Sequence, residues 1–156
     1  MRKFVILYTI STFLLFSSCS NNKAVGENQI LNLIDNWHQA AANAKLDTYF
    51  DLMSKDAIYI GTDPGERWTK EEFHQFCKPY FDKGTTWNFK PFDRKIYLSS
   101  DKKTIWFDEL LDTWMGVCRG SGVIIIEDEQ YKISHYHLSV TIKNESIKEF
   151  LQIKQN

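Results

Sequence analysis

Cysteine is scarce in this chain: three in 156 residues, at positions 19, 77 and 118, with no C-x-x-C pair. That argues against zinc ribbons and dithiol redox motifs, and no metal-ligand set is expected. If Cys19 is consumed by the modification argued below, Cys77 and Cys118 remain. Without a spacing motif they read as buried free thiols rather than as a disulfide. An excess of one charge is missing too, since 19 basic residues face 20 acidic ones. Nothing basic is left over to draw nucleic acid or to hold an anionic membrane unaided. A nucleophile elbow, a phosphate-binding glycine loop and an H-E-x-x-H helix are all absent, so no hydrolase triad, nucleotide or cofactor is indicated. No linker or internal repeat divides the chain. The most apolar run, Phe4 to Phe16, has 13 residues, short of the ~20 that span a bilayer as a helix.

What is present begins with that run. Met1-Arg2-Lys3 precedes it and small residues follow, the three parts of a signal peptide. The segment Phe16-Ser17-Ser18-Cys19 resembles a bacterial lipobox, with Phe16 and Ser18 where the pattern prefers Leu and Gly or Ala. The resemblance implies removal of residues 1–18 and acylation of Cys19, and the polar residues after it suit a tether over 19–26. A single domain would then occupy 27–156, lipid-anchored in the bacterial cell envelope, at the outer membrane facing the periplasm or the surface. Loss of Arg2 and Lys3 lowers 19 basic residues to 17 against 20 acidic ones, so the anchor and not charge would hold the membrane.

Between Glu27 and Ala44, Ile30, Leu33, Ile34, Trp37 and Ala41 recur at helical spacing. Asp47 is placed to cap a short helix from Thr48 to Met53, and a strand follows over 57–60. In Gly61-Thr62-Asp63-Pro64-Gly65-Glu66 the proline presets φ and Gly65 tolerates the positive φ of a third turn position. Thr69 with Glu72 makes a capping box and Trp68 with Phe73 a hydrophobic staple, so a helix should start at Lys70 and end or kink at Pro79. Beyond it, alternation predicts four strands over 87–98, 104–114, 117–127 and 131–142. Helices followed by an antiparallel meander argue an α+β domain with the helices on one face of a curved sheet.

Four segments carry a family resemblance: Gly61-Thr62-Asp63-Pro64 with Glu66 and Trp68; Trp106-Phe107-Asp108-Glu109; Arg119-Gly120-Ser121-Gly122-Val123; and Tyr131 to Ser139. Together they resemble the SnoaL-like branch of the nuclear transport factor 2-like superfamily. The last segment is also similar to the tail of the association domain of calmodulin-dependent kinases. The resemblance implies a cone-shaped, curved antiparallel sheet wrapped around N-terminal helices, a pocket at its wide end, and a homodimer on the outer face of the sheet. It predicts a cavity, not a reaction.

Candidate ligand contacts follow from the strands. His135 and His137, two apart, share a face, and an apolar wall is offered by Trp37, Tyr59, Trp68 and Trp106. Arg119 and Ser121 join the histidines if a three-residue loop, Asp128 to Gln130, pairs Val123 with His135; a two-residue loop would set Gly120 and Gly122 opposite them. Asp108 and Glu109 point to opposite faces, so at most one enters a cavity. His38 and His74 read as surface or satisfied residues.

Three functions compete. The first is a lipid-anchored envelope domain with a pocket for a small, partly apolar ligand, an anionic one if Arg119 joins the histidines, or for self-association. The second is a cofactor-free isomerase, dehydratase or cyclase moving protons with His135, His137 and an acidic residue, and the third is a pure assembly domain. A solvent-closed carboxylate bonded to a histidine favours the enzyme; an open aromatic cup without such a pair favours the binder.

Overall fold

A computed structural model describes residues 21–101 and 104–154; the leader and Cys19 lie outside the described residues. Helix α1 (Asn21–Ala42) leads into α2 (Leu46–Asp51), β1 (Met53–Ile60), β2 (Arg67–Thr69) and α3 (Lys70–Asp82). Then come β3 (Lys90–Leu98), β4 (Ile105–Thr113), β5 (Gly116–Glu127) and β6 (Gln130–Val140), and a C-terminal turn carries α4 (Ile147–Lys154).

Several local expectations change. Helix α1 begins at Asn21 and takes in most of the stretch read as a tether. Asp47 sits in the first turn of α2 without capping it. The β1–β2 turn is closed by Glu66 N–H donating to Asp63 C=O at 2.9 Å, and Gly65 does not take a positive φ, so the turn needs proline but not glycine's freedom. The capping box of Thr69 and Glu72 forms, and the staple rings of Trp68 and Phe73 lie 5.5 Å apart. Pro79 does not end α3. It sits exposed on the helix, so the Gln75 carbonyl it leaves without a donor is on the solvent side. Helix α4, with Ile147, Phe150 and Ile153 exposed, has no counterpart in the sequence reading.

The six strands form one curved sheet in the order β2-β1-β6-β5-β4-β3. It is a meander from β3 to β6 with β1 added in parallel beside β6, a departure from the purely antiparallel expectation. The inner face packs on α1 and α3 around Trp37, whose ring stacks on Tyr49 at 4.8 Å and meets Tyr136 edge-on at 4.7 Å. Gly122 makes that packing possible, because a Cβ there would lie 2.6 Å from the Phe107 ring and 2.8 Å from the His135 carbonyl.

The β5–β6 hairpin decides which side chains face the core. Its loop is the two-residue one, Asp128-Glu129, both at positive φ. Yet Val123 still pairs with His135 and Ser121 with His137, the pairing expected of the longer loop. A bulge between Ile133 and His135 supplies the missing residue, Ser134, and restores the parity.

Candidate functional site

Glu109 is fully buried on the inner face, opposite Gly120. One of its oxygens accepts from His38 Nε2 at 2.7 Å and from the Tyr136 hydroxyl at 3.1 Å. The other accepts from Arg94 Nε at 2.8 Å, with Arg94 Nη2 at 2.8 Å as well. Arg94 Nη1 reaches on to Asp35 at 2.6 Å, which ties α1 to β3. A bulge in β3 aims the guanidinium: Asp93, at φ 48, and Arg94 together face Glu109 across the ladder. Burial alone would raise the Glu109 pKa, but the bond and charge of His38 and then the charge of Arg94 outweigh it and hold the carboxyl below its ordinary range. Three hydrogen bonds and an ion pair already engage this carboxylate, so it positions its neighbours and is poorly placed as a free base.

Away from this carboxylate, an aromatic cup of about 160 Å³ opens between the β1–β2 turn, α3, the irregular strip 83–89 and the β4–β5 turn. Its floor is Tyr59 and Leu138, and its walls are Trp68, Phe73, Phe76, Trp87 and Phe89. Phe73 stacks on Tyr59 with centroids 3.9 Å apart and Trp68 on Phe76 at 4.8 Å. Burial, and then the charges of Cys77 and Glu66, push the Tyr59 hydroxyl pKa well up, so it remains a neutral donor. Trp114 stands at the rim, 84% exposed. It is presented by a tight turn in which Thr113 Oγ1 accepts from Met115 N–H at 3.0 Å and Gly116 takes φ 87. A second hollow of about 270 Å³, lined by Tyr80, Thr85 and Thr86, shares Phe76, Trp87 and Trp114 with the cup. His38 opens on a third cleft, of about 160 Å³, and Phe89 lines both that cleft and the cup.

The residues expected to hold a ligand together fall into three places. Tyr59 and Trp68 line the cup. Trp37 is in the core, 1% exposed, and lines none of these openings. Trp106, Arg119, Ser121, His135 and His137 share one face as the pairing predicted, but it is the outer one, with Tyr136 and Leu138 turned inward. The expectation that His135, His137 and Arg119 contact a ligand in the pocket is therefore corrected. The inner row packs on Trp37 and must be apolar, which leaves the histidines outside. Arg119 there pairs with Asp108 at 3.0 Å, Trp106 stacks on Tyr97, and His135 has its pKa lowered by burial, His137 and Arg67. Cys77 and Cys118 are buried free thiols.

The sequence left His38 as a surface or satisfied residue, and its bond to Glu109 bears out the second alternative; Arg94 it did not single out. A signal for His38 existed, since it lies four residues after Ile34 on the buried stripe of α1. None existed for Arg94, because a bulge leaves no mark in periodicity.

Comparison with known proteins agrees with this geometry. The SnoaL-like domain family matches residues 30–143, and no curated protein matches the chain. Among solved structures, a nuclear transport factor 2-like protein of unknown function from Pseudomonas putida superposes with a TM-score of 0.65 at 14% identity, covering 79% of this chain and 92% of that one. A putative scytalone dehydratase from Novosphingobium aromaticivorans gives 0.64 at 11% identity, covering 77% and 87%. A putative calcium/calmodulin-dependent protein kinase II association domain from Xanthomonas campestris gives 0.58 at 19% identity, covering 89% and 99%. At such identities the likeness is one of fold.

Proposed function

The chain belongs to the SnoaL-like domain family, and from that premise we propose that it is a binding domain whose aromatic cup takes one small, largely apolar molecule. The fold is often a scaffold for ligand binding and for isomerases or dehydratases, so the site and not the fold must carry the choice. The observation that carries it is the open cup itself, walled by stacked rings and rimmed by the exposed Trp114. A neutral naphthyl fluorophore should brighten on binding the wild-type chain. Removing Phe76 and Trp114 together should weaken it about tenfold, as the loss of two aromatic walls predicts, with little change in Tm. Unchanged affinity in the double variant would retire the cup.

One observation favours a second reading, proton-transfer catalysis: the buried contact between His38 and Glu109. Against it, both oxygens of Glu109 are already occupied, and Phe89 stands between the cup and the cleft that His38 lines. Deuterium wash-in to an enolisable ketone, lost in His38→Gln at unchanged Tm, would favour this reading; no wash-in by the wild-type chain would end it.

We further propose that the domain is lipid-anchored through Cys19 in the cell envelope and that a second copy covers the outer face of its sheet. The leader's composition supports the anchor, and an intact N-terminus in the mass spectrum of the purified protein would refute it. Exposed Tyr97 and Trp106 on the outer face support the dimer.

A further inference from the structure

The cup, on whose occupancy by a small molecule this inference rests, has one sign of charge. Among the described residues no lysine, arginine or histidine lines it, and the one carboxylate that does is Glu66. That carboxylate is placed by the backbone around it. Gly61 N–H donates to the Glu66 carbonyl at 2.8 Å, closing the turn. The Glu66 side chain then folds back across Gly61, where a Cβ would collide with its carboxylate and lie 2.9 Å from its own Cβ. One carboxylate oxygen accepts from Asp63 N–H at 3.1 Å, and among the described residues the other has no partner. The turn therefore delivers an under-used anion to the edge of an aromatic wall, close enough to Tyr59 for its charge to raise that hydroxyl's pKa.

Aromatic faces carry the negative end of a quadrupole, and a cation near them is attracted while an anion is not. Beside a wall of Tyr59, Trp68, Phe73 and Phe76, the Glu66 charge is less screened than it would be in water. A neutral guest would gain only burial, and an anion would meet Glu66. We infer that the cup takes a small organic cation, a quaternary or alkylated ammonium, with the rings packing on its methyl groups and Glu66 supplying the counter-charge. The space of about 160 Å³ suits a compact head, and the neighbouring hollow of about 270 Å³ offers room for a substituent between Tyr80 and Trp114.

Calorimetric titration of the full chain with choline, and with its neutral isostere in which a tert-butyl group replaces the trimethylammonium, tests this directly. Choline should bind at least about tenfold more tightly than the isostere, the scale of a desolvated cation–aromatic contact. Glu66→Gln, which keeps an acceptor for Asp63, should bring the two within roughly threefold of each other by weakening choline alone. Trp114→Ala, at an exposed position, should cost choline more than the isostere. Equal binding of the two probes by the wild-type chain would overturn the cation and leave the cup. So would binding of the naphthyl fluorophore with neither of them, whereas failure of all three would remove the cup as well.

Discussion

Glu109 brings a charge into the core, and its partners rather than its surroundings make that tolerable. Three side chains from α1, β3 and β6 converge on it, so removing one partner strands the rest. Glu109→Gln should lower stability by about 3 kcal/mol or more, as for other broken buried pairs, read by denaturant unfolding. Acid should act in the same direction. Because the Glu109 pKa is depressed in the folded state, its contribution is present above its unfolded value of about 4.3 and is lost as pH falls through the folded value. His135, also depressed, favours the unfolded chain once pH drops below about 6.5, where unfolded histidine takes up a proton that the folded one resists. Unfolding curves should therefore weaken in two stages on acidification, and His135→Gln should remove only the earlier one. A stability flat from about pH 7 to 5 would contradict the histidine assignment, and one that stays flat below about pH 4.3 would contradict the Glu109 assignment.

At the scale of elements, turns and bulges set the geometry more than strands do. The Asp128-Glu129 turn needs both residues at positive φ, 48° and 62°, which a two-residue hairpin favours but a glutamate resists. Glu129→Gly should stabilise the hairpin by about 1 kcal/mol and raise Tm by a few degrees, and a lower Tm would show that this turn is not strained. The bulge at Ser134 then decides that His135 and His137 face outward and Tyr136 inward. The bulge at Asp93 likewise turns Arg94 to Glu109.

For the whole molecule, the outer face of the sheet is where exposed aromatic surface gathers. Trp106 and Tyr97 stack there, each 41% exposed, beside the Arg119–Asp108 ion pair and the two histidines. If a second copy covers this face, Trp106→Glu should convert a dimer to a monomer in light scattering at unchanged helical content, since a buried unpaired charge is costly at an interface. A wild-type chain that is already monomeric at high concentration would exclude the dimer.

Sequence alone determined the elements that depend on local signals: the amphipathic face of α1, the capping box that starts α3, the staple of Trp68 and Phe73, and the alternation of the last four strands. From these, and from four short segments, the α+β cone and its family were legible before any coordinates. Sequence also limited the choice at β4, where Asp108 and Glu109 must point oppositely, but could not say which was buried. Tertiary structure decided that, because one inserted residue in a ladder reverses every face beyond it and has no compositional mark. Ser134 and Asp93 are such residues. They account for the histidines lying outside the cone and for Arg94 lying within it.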